Sequence, residues 1–92
     1  MTNVPQGSGG KDVEATVQKI IADQLKMKPP DVRLTALLQN DLGVASLDAM
    51  EIILSIEEAF GIDIPDEQAR KAKTPGDIVN FVRQRIDQLP GK

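Results

Sequence analysis

The run Asp41-Leu42-Gly43-Val44-Ala45-Ser46-Leu47-Asp48 decides how this chain is read. A glycine turn leads to a serine, and the serine opens a long apolar-periodic segment rich in acid. Ile52, Ile53, Ile56 and Phe60 recur there at helical spacing, with Leu47, Met50 and Leu54 on the flanks. The spacing predicts a helix from Ser46 or Leu47 to near Ala59, closed by Gly61 in the left-handed conformation. No basic residue lies between Arg33 and Arg70, whereas Asp41, Asp48, Glu51, Glu57, Glu58, Asp63, Asp66 and Glu67 all do. A hydroxyl at the start of an acidic helix suits a handle that other proteins modify and grip.

Working outward, Val13, Val17, Ile20, Ile21 and Leu25 share one face of a helix expected from about Asp12 to Lys26, stopped by Pro29-Pro30. A long connection over 29–45 follows, lined by Val32, Leu34, Leu37, Leu38, Leu42 and Val44. Its aliphatic content argues for packing across the helix ends, with a short turn near Leu34–Leu38. Downstream, Ile62-Asp63-Ile64-Pro65 reads as extended and Asp66–Lys71 as a short helix. Thr74 then caps a last helix, Pro75 takes its first position and Asp77 completes a capping-box-like pair. Ile78, Val79, Val82 and Ile86 supply its inner face before Pro90-Gly91. The expected fold is all-α, a small four-helix bundle with three longer helices, one short helix and a long first loop. Residues 11–88 form the domain, between a flexible glycine-rich tail (1–10) and a short end (89–92).

Bulk properties narrow the function. Ninety-two residues make one domain with a modest core. The net charge is −3, and the central acid between basic flanks disfavours nucleic acid and favours basic protein partners. There is no cysteine and no histidine, so no disulfide, no zinc-thiolate site and no histidine base. Neither a secretory start nor a bilayer-length apolar run is seen, which places the expectation in the cytoplasm, away from membranes.

Ser46 itself admits two readings. A serine at a helix start is ordinarily an N-cap. As a nucleophile it lacks a base, and Gly43-Val44-Ala45-Ser46-Leu47 is not the Gly-x-Ser-x-Gly elbow, so a hydrolase and enzyme activity generally are disfavoured. A phosphate ester on its oxygen, by contrast, would meet free N–H groups and the positive helix end, worth about 0.3–1 kcal/mol. A calcium loop fails on spacing, since with Asp41 as first ligand Gly43 and Ala45 fill the third and fifth positions; no metal site is expected. Asp48, Glu51, Ser55 and Glu58 share one helical face without a compensating lysine or arginine. Leu47 and Met50 beside them give an apolar centre ringed by acid, the pattern of a weak, electrostatically steered docking site.

The ordered set Asp41-Leu42-Gly43, Ser46-Leu47-Asp48, Glu51, Glu57-Glu58, Phe60 and Ile64-Pro65 resembles acyl carrier proteins, over a span from about Val13 to about Ile86. The resemblance implies a non-enzymatic, free-standing carrier with 4′-phosphopantetheine attached covalently to Ser46, holding acyl groups as thioesters. It implies a fatty-acid or specialised acyl or polyketide pathway. The implied partners are a phosphopantetheinyl transferase and acyl-processing enzymes with basic docking patches, met as a monomer through Leu47, Asp48, Met50, Glu51 and Glu58. It also implies an acyl pocket walled by Leu54, Phe60, Ile62, Ile64 and Ala72, with Leu38, Val44, Leu47 and Met50 nearby. The chain departs from the family pattern in three respects. Ala45 replaces the aspartate usual before the serine, Ala72 is small where a larger aliphatic residue is usual, and Arg70, Lys71 and Lys73 make the third-helix edge unusually basic. The alternative reading is an unmodified carrier-like adaptor that binds basic proteins through its acidic helix.

Overall fold

The computed structural model describes residues 12–88; the two terminal segments expected to be tails lie outside the described residues. Within 12–88 the chain forms four α-helices: α1 (Val13–Leu25), α2 (Ser46–Phe60), α3 (Asp66–Lys71) and α4 (Pro75–Gln88). A single 3₁₀ turn, Pro29–Asp31, follows α1, and no strand occurs among the described residues.

Each helix end has a local cause. Asp12 caps α1 by accepting the Ala15 N–H at 3.2 Å, satisfying one of the orphan donors of the first turn. Lys26 ends the same helix in the left-handed region, at φ 59° and ψ 46°. Gly61 does so for α2 at φ 65°, where a glycine carries no Cβ penalty. At α4 the Thr74 hydroxyl accepts the Asp77 N–H at 3.1 Å, while the Asp77 carboxylate accepts the Thr74 N–H at 3.2 Å and the Lys73 N–H at 2.9 Å. This reciprocal pair is the capping box read from Thr74 and Asp77.

The core is aliphatic. Val17 and Ile21 of α1, Val32 of the loop, Ile56 of α2 and Val79 and Val82 of α4 are fully or almost fully buried. Val13, Ala22, Val44, Ile52, Ile62, Ile64 and Ile78 complete it. α1 packs on both α2 and α4, so it is the spine of the bundle. α3 buries none of its residues fully and acts as a lateral flap.

The long first loop is ordered by backbone pairing. Leu38 N–H donates to Lys73 O at 2.9 Å, Gly76 N–H to Leu34 O at 2.9 Å, and Val44 N–H to Leu38 O at 2.8 Å. The Gln18 side chain reaches across to Val32 O at 2.8 Å. The Asp41 carboxylate accepts Leu37 N–H at 2.8 Å and closes the 37–41 turn. These bonds fasten the loop to α1 and to the start of α4, which fixes where α2 begins.

Candidate functional site

The start of α2 is built from its preceding turn. Gly43 takes φ 72°, a left-handed value, and turns the chain so that Val44 is buried and Ser46 is exposed. Ala45 O accepts the first helical bond, from Ala49 N–H at 2.9 Å, so Ala45 and not Ser46 is the N-cap. Ser46 is the first helical residue, which overturns its reading as an N-cap. The Asp48 carboxylate reaches back to the Ala45 N–H at 3.3 Å, but alanine returns no acceptor, and only half of a capping box forms. No hydrogen bond among the described residues engages the Ser46 hydroxyl. It stands free at the positive end of a fifteen-residue helix.

Beside it opens a cavity of about 830 Å³ between α2, the first loop and α3. Ser46 lines it, with Leu38, Val44, Ile52, Ile53 and Ile64 among its apolar walls. Of the pocket residues read from sequence, Leu54, Ile64 and Ala72 line this space. Phe60 and Ile62 do not. Ile62 is a buried member of the core and Phe60 packs against that core, because α2 ends there and turns the chain inward. On Ala72's side the bank is α3, together with Lys73.

The outer surface of α2 carries Leu47, Met50 and Leu54, which are 65 %, 62 % and 55 % exposed. Their spacing sets them on one ridge running from Ser46 toward Glu58. Glu58 is exposed and enters no hydrogen bond or ion pair among the described residues, whereas Asp48 and Glu51 are each bonded to α1. Gln24 of α1 donates to the Asp48 carboxylate at 3.2 Å and to the Glu51 carboxylate at 2.6 Å. The acidic face therefore divides, with one part clasped by α1 and one part free. Glu57 has another task, accepting the Ile64 N–H at 2.8 Å and holding the extended 62–65 segment beside the cavity. Nothing in the sequence pattern marks Gln24 for its role or Glu57 for this one. A lone polar residue gives no periodic signal, but an extended segment with a buried N–H does demand an acceptor. No cluster of acidic residues among the described residues is placed to hold a metal ion.

A family model described as the phosphopantetheine attachment site matches residues 15–82, most of the chain. The chain belongs to the acyl carrier protein family. Among its relatives, the acyl carrier protein of Thermosynechococcus vestitus is 43 % identical over 76 % of this chain and 86 % of its own length. That of Amoebophilus asiaticus is 43 % identical over 82 % of this chain and 94 % of its own, and that of Clostridium acetobutylicum 39 % identical over 78 % and 94 %. A solved structure of the Enterococcus faecalis acyl carrier protein superposes with a TM-score of 0.69 at 31 % identity, covering 80 % of this chain and 94 % of that one. Family membership makes this chain an acyl carrier bearing covalent 4′-phosphopantetheine. The carriers it is similar to hold cargo and do not transform it. No helix among the described residues is long and apolar enough to cross a membrane.

The residues at the head of α2 fit such a group: an exposed hydroxyl unengaged among the described residues, the N–H groups that a first helical turn leaves without a helical partner, and an adjacent cavity with apolar walls. When bound, the group supplies the thiol that a chain without cysteine lacks.

Proposed function

We propose that Ser46 is the attachment residue, and that the ridge Leu47–Met50–Leu54 with Glu58 is where partner enzymes dock. One observation carries this reading. Ser46 is the exposed first residue of α2, its hydroxyl in no hydrogen bond among the described residues, on the rim of a cavity of about 830 Å³. A transferase that approaches the head of α2 meets this oxygen unobstructed, with Gly43 and Ala45 offering no bulk around it. Modification forms a bond from the Ser46 oxygen to phosphorus and breaks the pyrophosphate link of coenzyme A; adenosine 3′,5′-bisphosphate leaves and the hydroxyl proton passes to the transferase.

Partners with basic patches are favoured because the middle of the chain presents acid alone. Exposed pairs of this kind steer the encounter and contribute about 0.2–1 kcal/mol each, so docking is brief and salt-sensitive. Leu54, Ile64 and Ala72 belong to the space that shelters cargo. We assign the carrier to the cytoplasm as a monomer, serving a fatty-acid-like or specialised acyl pathway. The test of attachment is the intact mass after incubation with a phosphopantetheinyl transferase and coenzyme A. Wild type gains one phosphopantetheine and Ser46→Ala gains none; a wild-type chain of unchanged mass refutes the assignment and leaves the adaptor reading.

A further inference from the structure

The cavity beside Ser46 has two unlike banks. On the α2 side its lining is mostly apolar, with Ile52 and Ile53 joined by Val44 and Ile78, and Glu57 its one acid there. On the α3 side it is rimmed by Arg70 and Lys73, with the small Ala72 between them in sequence. Both cationic side chains are exposed, and neither enters an ion pair or hydrogen bond among the described residues. The ion pairs there are Lys19 with Asp23 and Arg83 with Glu14, both elsewhere on the molecule.

Two acids share the same lining. The Glu57 carboxylate is turned onto the Ile64 N–H, at 2.8 Å. Asp66 is the remaining acid, in the first turn of α3, four residues before Arg70. Glu57 keeps its charge on the α2 side, so the lining as a whole balances, but the α3 bank sets Arg70 and Lys73 against Asp66 alone and is locally positive. An aliphatic guest would satisfy the apolar bank and gain nothing from the other. A guest with an anionic end satisfies both, its methylenes on the isoleucines and its charge at the wet rim, where a carboxylate avoids the cost of burial. Arg70 adds geometry, because a guanidinium takes a carboxylate in bidentate fashion.

We infer that the cavity beside Ser46 favours acyl cargo ending in a carboxylate, the half-acid of a dicarboxylic acid, held at that end by Arg70 and Lys73. This rests on the reading that Ser46 bears the arm. The phosphodiester of the arm is a second anion that the same cations could take, so the experiment separates the two sources. A transferase loads the protein from coenzyme A, hexanoyl-coenzyme A or adipyl-coenzyme A, and intact mass verifies each product. Thioester hydrolysis and melting temperature are then measured for wild type and for an Arg70→Gln/Lys73→Gln variant at low salt.

The adipyl thioester is expected to hydrolyse about two- to fivefold faster in the variant, the range that one or two exposed ion pairs supply, with the hexanoyl thioester unchanged. Raising the salt should erase the same difference in wild type without any substitution, and Arg70→Lys should restore part of it. Equal effects on hexanoyl and adipyl forms overturn the inference. So does a melting shift in the unacylated form as large as in the adipyl form, which would give the cations to the phosphodiester. A mass that never changes refutes attachment at Ser46 itself, and is told apart by appearing before any cargo is compared.

Discussion

Ala45 holds the N-cap of α2 with extended backbone, φ −86° and ψ 171°, and offers its helix no side-chain acceptor. Asparagine there would accept an orphan N–H without adding charge, so Ala45→Asn should raise stability by about 1 kcal/mol in denaturant melts. Ala45→Asp supplies the same cap, offset by repulsion from Asp48 one turn on. It also restores the acid that family transferases usually meet, so it should accelerate modification where Ala45→Asn does not. Equal rates for the two variants would show that helix order, and not charge, limits the transferase. Gly61 and Lys26 make a second residue-scale comparison, since both end helices in the left-handed region. Nothing lies within 4 Å of a Cβ at Gly61, so Gly61→Ala should cost about 1 kcal/mol for conformation alone. Lys26→Gly should gain about 0.5 kcal/mol, the left-handed strain released less the entropy that glycine adds to the unfolded chain. Thermal melts of the pair check both signs.

At the scale of elements, helices announced by period and cap are legible in the sequence. Asp66–Lys71 is found over the residues read from Pro65 and its flanks, and the Thr74–Asp77 box closes as its spacing requires. Ser46 is legible as one of two candidate first residues of α2, with Leu47, but the choice between them is not. That detail depends on which carbonyl accepts the Ala49 N–H, a matter of loop geometry rather than residue type. The loop itself is readable only as apolar, because its order comes from backbone bonds to Lys73 and Leu34 that leave no side-chain pattern. The division of the acidic face is equally silent, since it is imposed by Gln24 from another helix. That division has a kinetic consequence. Glu58→Lys should lower the association rate of a basic partner several-fold at low salt, with stability changed by less than about 0.5 kcal/mol. Glu51→Lys should slow association and also destabilise by about 1 kcal/mol, because it removes a bond between α1 and α2. Stopped-flow association and urea melts on the two variants distinguish the free acid from the clasped one.

For the whole molecule, the most deeply buried side chains lie apart from the cavity, while Val44, Ile52, Ile64 and Ile78 belong both to the core and to its lining. The fully buried side chains Val17, Ile21, Val32, Ile56, Val79 and Val82 tie α1, α2, α4 and the loop, while α3 contributes none. The cavity lies on the α3 side of that core, and the docking ridge lies on the outer surface of α2. Removing Ile56 to alanine leaves a void where nothing polar compensates, and such truncations cost about 2–5 kcal/mol. In a domain of this size each kcal/mol moves the melting temperature by about 4–8 °C, so Ile56→Ala should melt at least about 8 °C lower. Held well below its melting temperature, it should still accept the arm at Ser46, because the head of α2 is fixed by the loop and not by Ile56. Leu47→Ala should behave in the opposite way. Its side chain is 65 % exposed, so stability should move by less than about 0.5 kcal/mol while transferase turnover falls. A core variant that lost modification while folded, or a ridge variant that melted early, would show that the deepest core and the head of α2 are not independent.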